Sequence, residues 1–239
     1  MRAIILAAGA GRRLGLSIPK CMIDLGGRSI LHRQLDAFRA AGVDDFIIVV
    51  GHLREQVIEH LSGRPGRFTF IANDRYAETN TCYSLYLARS CIDRDFFYAN
   101  ADVLFDARLA RRLCDPANQQ AAALAVQVGR CAEEEVKVIV RDGRITRISK
   151  KLDPKDCLGE FVGVARFSAT IAPAFVKALE ICIEQENAVN DYFERAVDRL
   201  CGDWSLIPVD VSDLPCIEID FPADLDRAKR EISPLLCLD

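Results

Sequence analysis

The chain has 239 residues, half of them apolar, enough to bury a core in one large domain or two small ones of ~100 to 200 residues each. Its formal net charge of −4 excludes a nucleic-acid binder that relies on a basic surface to neutralise the phosphate backbone. No apolar run approaches the ~18 to 20 residues that span a bilayer, and the short apolar start meets glycine too early for a signal peptide, so a soluble cytoplasmic protein without a membrane partner is expected.

Charge is unevenly placed. Residues 1–40 carry seven cations (Arg2, Arg12, Arg13, Lys20, Arg28, Arg33 and Arg39) against Asp24 and Asp36, which suits a small anion docking near the N-terminus. Ten cysteines are scattered without a Cys-x-x-Cys pair, mostly inside apolar stretches, a pattern of free buried thiols rather than of a disulfide framework. None of the three histidines stands at metal-ligand spacing from a cysteine, which argues against a structural zinc site.

In chain order, short β-branched runs alternate with amphipathic stretches, the pattern of parallel strands joined by crossover helices. Arg2 to Leu6 reads as a strand, Ser29 as the cap of a helix through Ala41, and Phe46 to Val50 as a strand buried on both faces. A helix over 54–61, a strand over 67–72, a helix over 80–89 and a strand over 95–101 follow, the last ending at Asp102. Beyond about residue 120 the strands lengthen: 121–129, then a hairpin of 135–140 and 145–150 turning on Asp142-Gly143, then 160–168. Helices over 173–184 and 189–200, short strands over 204–209 and 217–220, and a helix opened by Pro222 complete the chain. No repeat or linker interrupts it, so one α/β domain is expected, a Rossmann-like, mostly parallel mixed sheet flanked by helices. It divides into residues 1–120 and a second half, 121–239, that covers the substrate.

The first strand runs straight into Leu6-Ala7-Ala8-Gly9-Ala10-Gly11-Arg12-Arg13-Leu14-Gly15, where glycines let backbone N–H groups approach a phosphate. A dinucleotide site would want Gly-x-Gly-x-x-Gly and an acid near the end of the second strand. This chain has one residue too many before the third glycine and ends that strand in Val50-Gly51-His52, which disfavours an oxidoreductase. No Gly-Lys-Ser/Thr follows the glycines, so a P-loop is excluded. Two arginines and Lys20 on a backbone nest suit a triphosphate.

The run from Leu6 to Gly15 with Pro19-Lys20 resembles the signature of the nucleoside-triphosphate transferase superfamily, the sugar-phosphate nucleotidyltransferases. Asn73-Asp74-Arg75-Tyr76 with Thr79 to Leu87, Gly159 to Gly163, and Glu218-Ile219-Asp220 resemble its phosphocholine and 2-aminoethylphosphonate cytidylyltransferase branch. The resemblance implies coupling of CTP, or another nucleoside triphosphate, to a small phosphate or phosphonate monoester with release of pyrophosphate. A phosphate's second pKa is about 6, so the nucleophile is already an anion and positioning and charge stabilisation are what the protein must supply.

On that reading, residues 6–11 with Arg12 and Lys20 hold the triphosphate, and Arg13 is equally explained as a surface partner. Asp102 and Asp220 are Mg²⁺ ligands, oxygen donors suited to a hard cation. Glu218, on the same face of an extended segment as Asp220, is a third ligand or a carboxylate orienting one. Asn73, Thr79, Asn80 and Ser84 stand where the family reads the base, although capping alone would account for Thr79 or Asn80. Either Lys137 or Lys150 meets the acceptor phosphate, with Lys150 preferred. Glu160 and Gly163 line the acceptor side, and Asp191, Tyr192, Phe193 and Glu194 offer acids and aromatics for an amine, although such helical aromatics are often core. Cys216 stands where relatives commonly have Trp or Tyr, which weakens a trimethylammonium cage and favours a primary amine or an uncharged acceptor. Inositol-1-phosphate or sugar-1-phosphate transfer is the alternative within the class, and a non-catalytic nucleotide-binding subunit the alternative outside it. The oligomeric state is left open.

Overall fold

A computed structural model describes residues 1–236. The elements follow as β1 (Arg2–Ala7), α1 (Ile30–Ala40), β2 (Asp45–Val50), α2 (Arg54–His60), β3 (Arg67–Ala72), α3 (Thr81–Leu87), β4 (Phe96–Asn100), β5 (Val103–Phe105) and α4 (Ala107–Leu113). Then come β6 (Ala122–Val128), β7 (Lys137–Arg141), β8 (Arg144–Ser149), β9 (Gly159–Phe167), α5 (Ala172–Glu180), α6 (Glu194–Asp198), β10 (Leu206–Asp210), β11 (Cys216–Glu218) and α7 (Pro222–Arg227).

The main sheet runs in the order β10-β6-β9-β4-β1-β2-β3, with β7 paired to β9 and β8 to β7. Strands β1 to β4 are mutually parallel where they pair, and β9 runs antiparallel between β4 and β6, the mixed sheet expected. Strands β1 and β2 are apolar on both faces because the sheet is covered on both sides. One layer packs α3, α5 and α6 on Ile4, Leu6, Tyr98 and Phe161; the other packs α1 and α4 on Ile5, Ile48, Phe97 and Val164. Because β2 and β4 flank β1 on opposite sides, the chain changes direction there. In open α/β sheets the crevice outside the carboxyl ends of such strands is the usual ligand site.

Local chemistry accounts for most boundaries. The Ser29 hydroxyl accepts the His32 N–H at 3.1 Å and starts α1. Asp142 (φ 50°) and Gly143 (φ 73°) both occupy the left-handed region that a two-residue hairpin turn requires, joining β7 to β8 as expected. Three expectations need correction. Residues 189–200 form only the short helix α6, so Asp191, Tyr192 and Phe193 lie in the turn before it. The helices expected over 173–184 and 222–232 both give way to a π-helical turn, at Ile181–Gln185 and Ala228–Ile232. Segment 103–113, left unassigned by periodicity, holds β5 and α4.

The β5 strand matters most for the site. It pairs antiparallel with β11, Val103 opposite Glu218, and the Ile219 N–H donates to the Asp102 carbonyl at 3.0 Å. This two-stranded ribbon sets Asp102 across from the Glu218–Asp220 segment, with Ile217 and Ile219 buried on the other face. Buried Gln34 holds the strand break open by donating to the carbonyls of Asn100 (2.8 Å) and Val103 (2.7 Å). The nine described cysteines are free, four buried and five half-buried, so the buried-thiol expectation holds for fewer than half; Cys237 lies outside the described residues. No helix among the described residues is long and apolar enough to cross a membrane.

Candidate active site

A cleft of about 560 Å³ opens at the carboxyl ends of β1 and β4, within the size range of small-ligand sites. Its floor is the loop after β1. Gly11 (φ +57°) and Gly15 (φ +63°) bracket a short 3₁₀ turn of Arg12–Leu14. An added Cβ on Gly11 would meet the Lys20 Cγ at 2.8 Å, so this glycine makes room for the lysine stem as well as for backbone curvature. Gly11→Ala is therefore expected to displace Lys20 and cut turnover about tenfold or more at a cost of about 1 kcal/mol in stability. A normal rate constant with a lowered melting temperature would contradict the link to Lys20.

Lys20 is the hub of the charged wall. Its ammonium bonds Asp220 and lies 3.3 Å from Asp102. Ligand oxygens of Asp102, Glu218 and Asp220 all lie within 4.8 Å of one another. Burial opposes the Lys20 charge, but Asp102 and Asp220 outweigh it and hold its pKa above the ordinary value. Burial lifts Asp102 above the usual carboxylate range against the pull of Lys20, with Asp220 adding to the rise. Glu218 opens onto the cleft, yet partial desolvation and then the charges of Asp102 and Asp220 raise it to about 8. Three crowded carboxylates facing one lysine form an oxygen-donor set that fits a divalent cation.

Arg13 bonds Asp220 at 3.1 Å and stacks its guanidinium over Phe221 at 5.1 Å. It therefore belongs to the charged wall, a role that sequence reasoning left level with a bare surface position. Arg12 lines the same cleft with no ion pair among the described residues. At Phe221, Asp224 closes the helix start by accepting the N–H groups of Asp220 (3.0 Å) and Phe221 (2.7 Å). That bond fixes the backbone beneath Asp220.

On the opposite wall, Asn73, Thr79, Asn80 and Ser84 come together as expected, but Asn73 is turned inward. Its amide donates to Thr79 Oγ1 and Ser84 Oγ at 3.0 Å each, and its oxygen accepts the Arg75 N–H. Asn73 thus builds the pocket and has no amide hydrogen left to read a base. The Asn80 oxygen caps Thr81 N–H at 2.8 Å; the Thr79 hydroxyl accepts from Asn73 and donates to the Arg75 carbonyl at 2.8 Å, which leaves the Asn80 NH₂ group and the Ser84 hydroxyl hydrogen as the donors available there.

The acceptor-side expectations divide. Lys150, Tyr192, Glu194, Gly163 and Glu218 line the cleft; Lys137, Glu160, Asp191 and Phe193 do not. Lys137 is fully buried and donates to the carbonyls of Ala132 (3.3 Å), Glu133 (2.7 Å) and Glu135 (3.0 Å), a clasp for the loop before β7. Glu160 projects from the strand face opposite Phe161 and Gly163, and burial, then Glu135, raises its carboxyl to about 7. Asp191 is tied to Arg195. Phe193 is core, stacked on Tyr98 with ring centroids 3.7 Å apart. Lys137→Met should unfold about 2 kcal/mol more easily, since three buried carbonyls lose their donor; denaturant melts check this, and unchanged stability would remove the clasp.

A mostly parallel mixed sheet, a glycine-rich loop leading to Lys20, and a carboxylate ribbon across from it define the class, a nucleotidyltransferase of the nucleotide-diphospho-sugar transferase fold. Residues 3–179 match the MobA-like NTP transferase domain, and the chain belongs to that family. It is 31% identical, over 98% of its own length and 39% of the relative's, to a protein of Streptomyces rubellomurinus named CMP-5'-(3-aminopropyl)phosphonate synthase. The chain thus spans about two-fifths of that relative. It is 25% identical to the CTP:phosphoglutamine cytidylyltransferase of Campylobacter jejuni, covering 95% of this chain and 98% of that one. Its fold matches the CTP:phosphocholine cytidylyltransferase of Streptococcus pneumoniae with a TM-score of 0.81 at 22% identity, covering 95% of this chain and 97% of that one.

Proposed function

We propose that this chain is a Mg²⁺-dependent cytidylyltransferase that joins CMP, taken from CTP, to a small phosphate or phosphonate monoester. The carrying observation is the grouping of Asp102, Glu218 and Asp220 against Lys20 beside the glycine-rich loop, with Lys150 in the same cleft. CTP rests on the names of the two sequence relatives, which refer to CMP or CTP chemistry.

An acceptor oxygen attacks the α-phosphorus, the bond to the β-phosphate oxygen breaks, and pyrophosphate leaves. The nucleophile needs no general base, because a phosphate or phosphonate dianion forms near neutral pH. The N–H groups of residues 9–11 would cradle the triphosphate, and Arg12, Arg13 and Lys20 would stabilise charge gathering on the leaving group. Lys150 would hold the acceptor oxygens, while Asn80, Thr79 and Ser84 face the base. Asp102, Asp220 and Glu218 would hold Mg²⁺, which supplies charge neutralisation between two anions.

The test is pyrophosphate release with CTP, UTP, GTP and ATP, each with amine-bearing phosphates and phosphonates, inositol-1-phosphate and glucose-1-phosphate, with Mg²⁺ or with EDTA. A CTP-dependent signal on a phosphate or phosphonate monoester, lost in EDTA, is expected. Turnover confined to sugar-1-phosphates, or unaffected by EDTA, would overturn the corresponding part.

A further inference from the structure

Gln34 is buried in the middle of α1 and does not line the cleft. Its amide nitrogen donates to two backbone carbonyls, those of Asn100 and Val103, and so straddles Ala101 and Asp102, where the chain leaves β4 and starts β5. The reverse orientation would set the amide oxygen against two carbonyl oxygens, so Oε1 stays buried without a partner among the described residues, an arrangement that costs stability. Two further bonds fix the same step: the Ala101 N–H donates to the Leu6 carbonyl at 3.2 Å, and the Asp102 carbonyl accepts the Ile219 N–H at 3.0 Å. Gly163 on β9 crowds the residues on either side of it. With φ at +76°, an added Cβ there would lie 2.9 Å from Asn100 Nδ2 and 3.0 Å from Val103 Cγ2.

We propose that Gln34 is a positioning residue for Asp102: it touches neither cation nor substrate, and by fixing the carbonyls of Asn100 and Val103 relative to each other it decides where the Asp102 carboxylate points. The proposal rests on the metal reading above and names what holds one of its ligands in place. The β5–β11 ribbon carries Glu218 and Asp220, and Gln34 ties the start of that ribbon to the end of β4 and to α1. Mg²⁺ demands near-ideal octahedral placement of its oxygens at short distance, whereas the larger Ca²⁺ accepts irregular sets. A small displacement of one carboxylate therefore weakens Mg²⁺ binding more than Ca²⁺ binding. A general loss of stability shifts neither affinity in the protein that stays folded.

Isothermal titrations with MgCl₂ and with CaCl₂, each without nucleotide and well below the melting temperature, would compare wild type with three variants. Gln34→Met keeps the length of the side chain and loses both donors; Gly163→Ala pushes on the same step from β9; Val57→Ala is the control, at a fully buried position on α2 that does not line the cleft. Gln34→Met and Gly163→Ala should each weaken Mg²⁺ binding by about tenfold and Ca²⁺ binding by less than about threefold. Val57→Ala should melt at a lower temperature with both affinities unchanged. In turnover, the Mg²⁺ concentration that half-saturates pyrophosphate release should rise by about tenfold in Gln34→Met. Unchanged Mg²⁺ affinity in Gln34→Met, an equal loss for the two cations, or the same shift in Val57→Ala would overturn the role while leaving the metal reading intact. A wild type that binds neither cation would remove the metal assignment itself, and this role with it. If Gln34→Met does not fold, Gly163→Ala carries the same comparison.

Discussion

Asp102→Asn and Asp220→Asn are each expected to lower turnover by ~10³-fold or more, with melting temperatures close to wild type. On the proposed function the cleft brings a triphosphate and a second anion together, yet one wall carries three carboxylates whose ligand oxygens lie within 4.8 Å of one another. Lys20 and Arg13 pair with Asp102 and Asp220 but leave Glu218 without an ion pair among the described residues. The arrangement makes chemical sense if these carboxylates would hold a divalent cation that supplies the neutralising charge, and an amide in place of either carboxylate would weaken that grip without changing shape. Stability should be nearly indifferent because Lys20 retains one acidic partner in each variant. Desolvation already disfavours the Asp102 charge in the fold, so neutralising it removes a cost. Activity within tenfold of wild type in either variant, assayed with saturating CTP and Mg²⁺, would sink the metal assignment. Isothermal titration with Mg²⁺ alone gives a second readout, since both variants should bind it more weakly.

The sequence carried the frame of this site more fully than its details. Apolar runs buried on both faces identify β1, β2 and β4, and a glycine-rich loop after the first strand with Lys20 beyond it marks the end proposed for the triphosphate. The ribbon of β5 and β11 was hidden because each strand has three residues, too few for alternation to register. The pairing of Asp102 with Glu218 and Asp220 is a long-range consequence of that ribbon. Side chains that serve the fold looked identical in sequence to side chains that serve the cleft. Lys137 and Lys150 both end up near the predicted hairpin, but only the backbone path of residues 132–135 decides that Lys137 is caged by carbonyls. Asn73 likewise has the chemistry to read a base, and only its bonds to Thr79 and Ser84 reveal that it is used up internally. Arg13 was undervalued because its partner Asp220 is 207 positions away.

Replacing Glu194 by Gln should stabilise the free protein at neutral and alkaline pH and have little effect near pH 4.5. Burial raises the Glu194 carboxyl from the ordinary 4.5 to about 7 in the fold, whereas an unfolded chain keeps the ordinary value. Below the unfolded value both states are protonated and the residue contributes nothing. Between about 4.5 and 7 the folded state holds the proton that the unfolded state releases, so wild-type stability falls as pH rises. Above about 7 the penalty levels off at roughly 3 kcal/mol, from about 1.4 kcal/mol for each unit of displacement. Glutamine keeps the shape and never ionises, so the variant escapes the loss. At the few degrees per kcal/mol typical of chains this long, its melting temperature should exceed wild type by about 8 °C at pH 8 and by about 1 °C at pH 4.5. A gap that does not change with pH would show that Glu194 carries its charge in the fold at no cost.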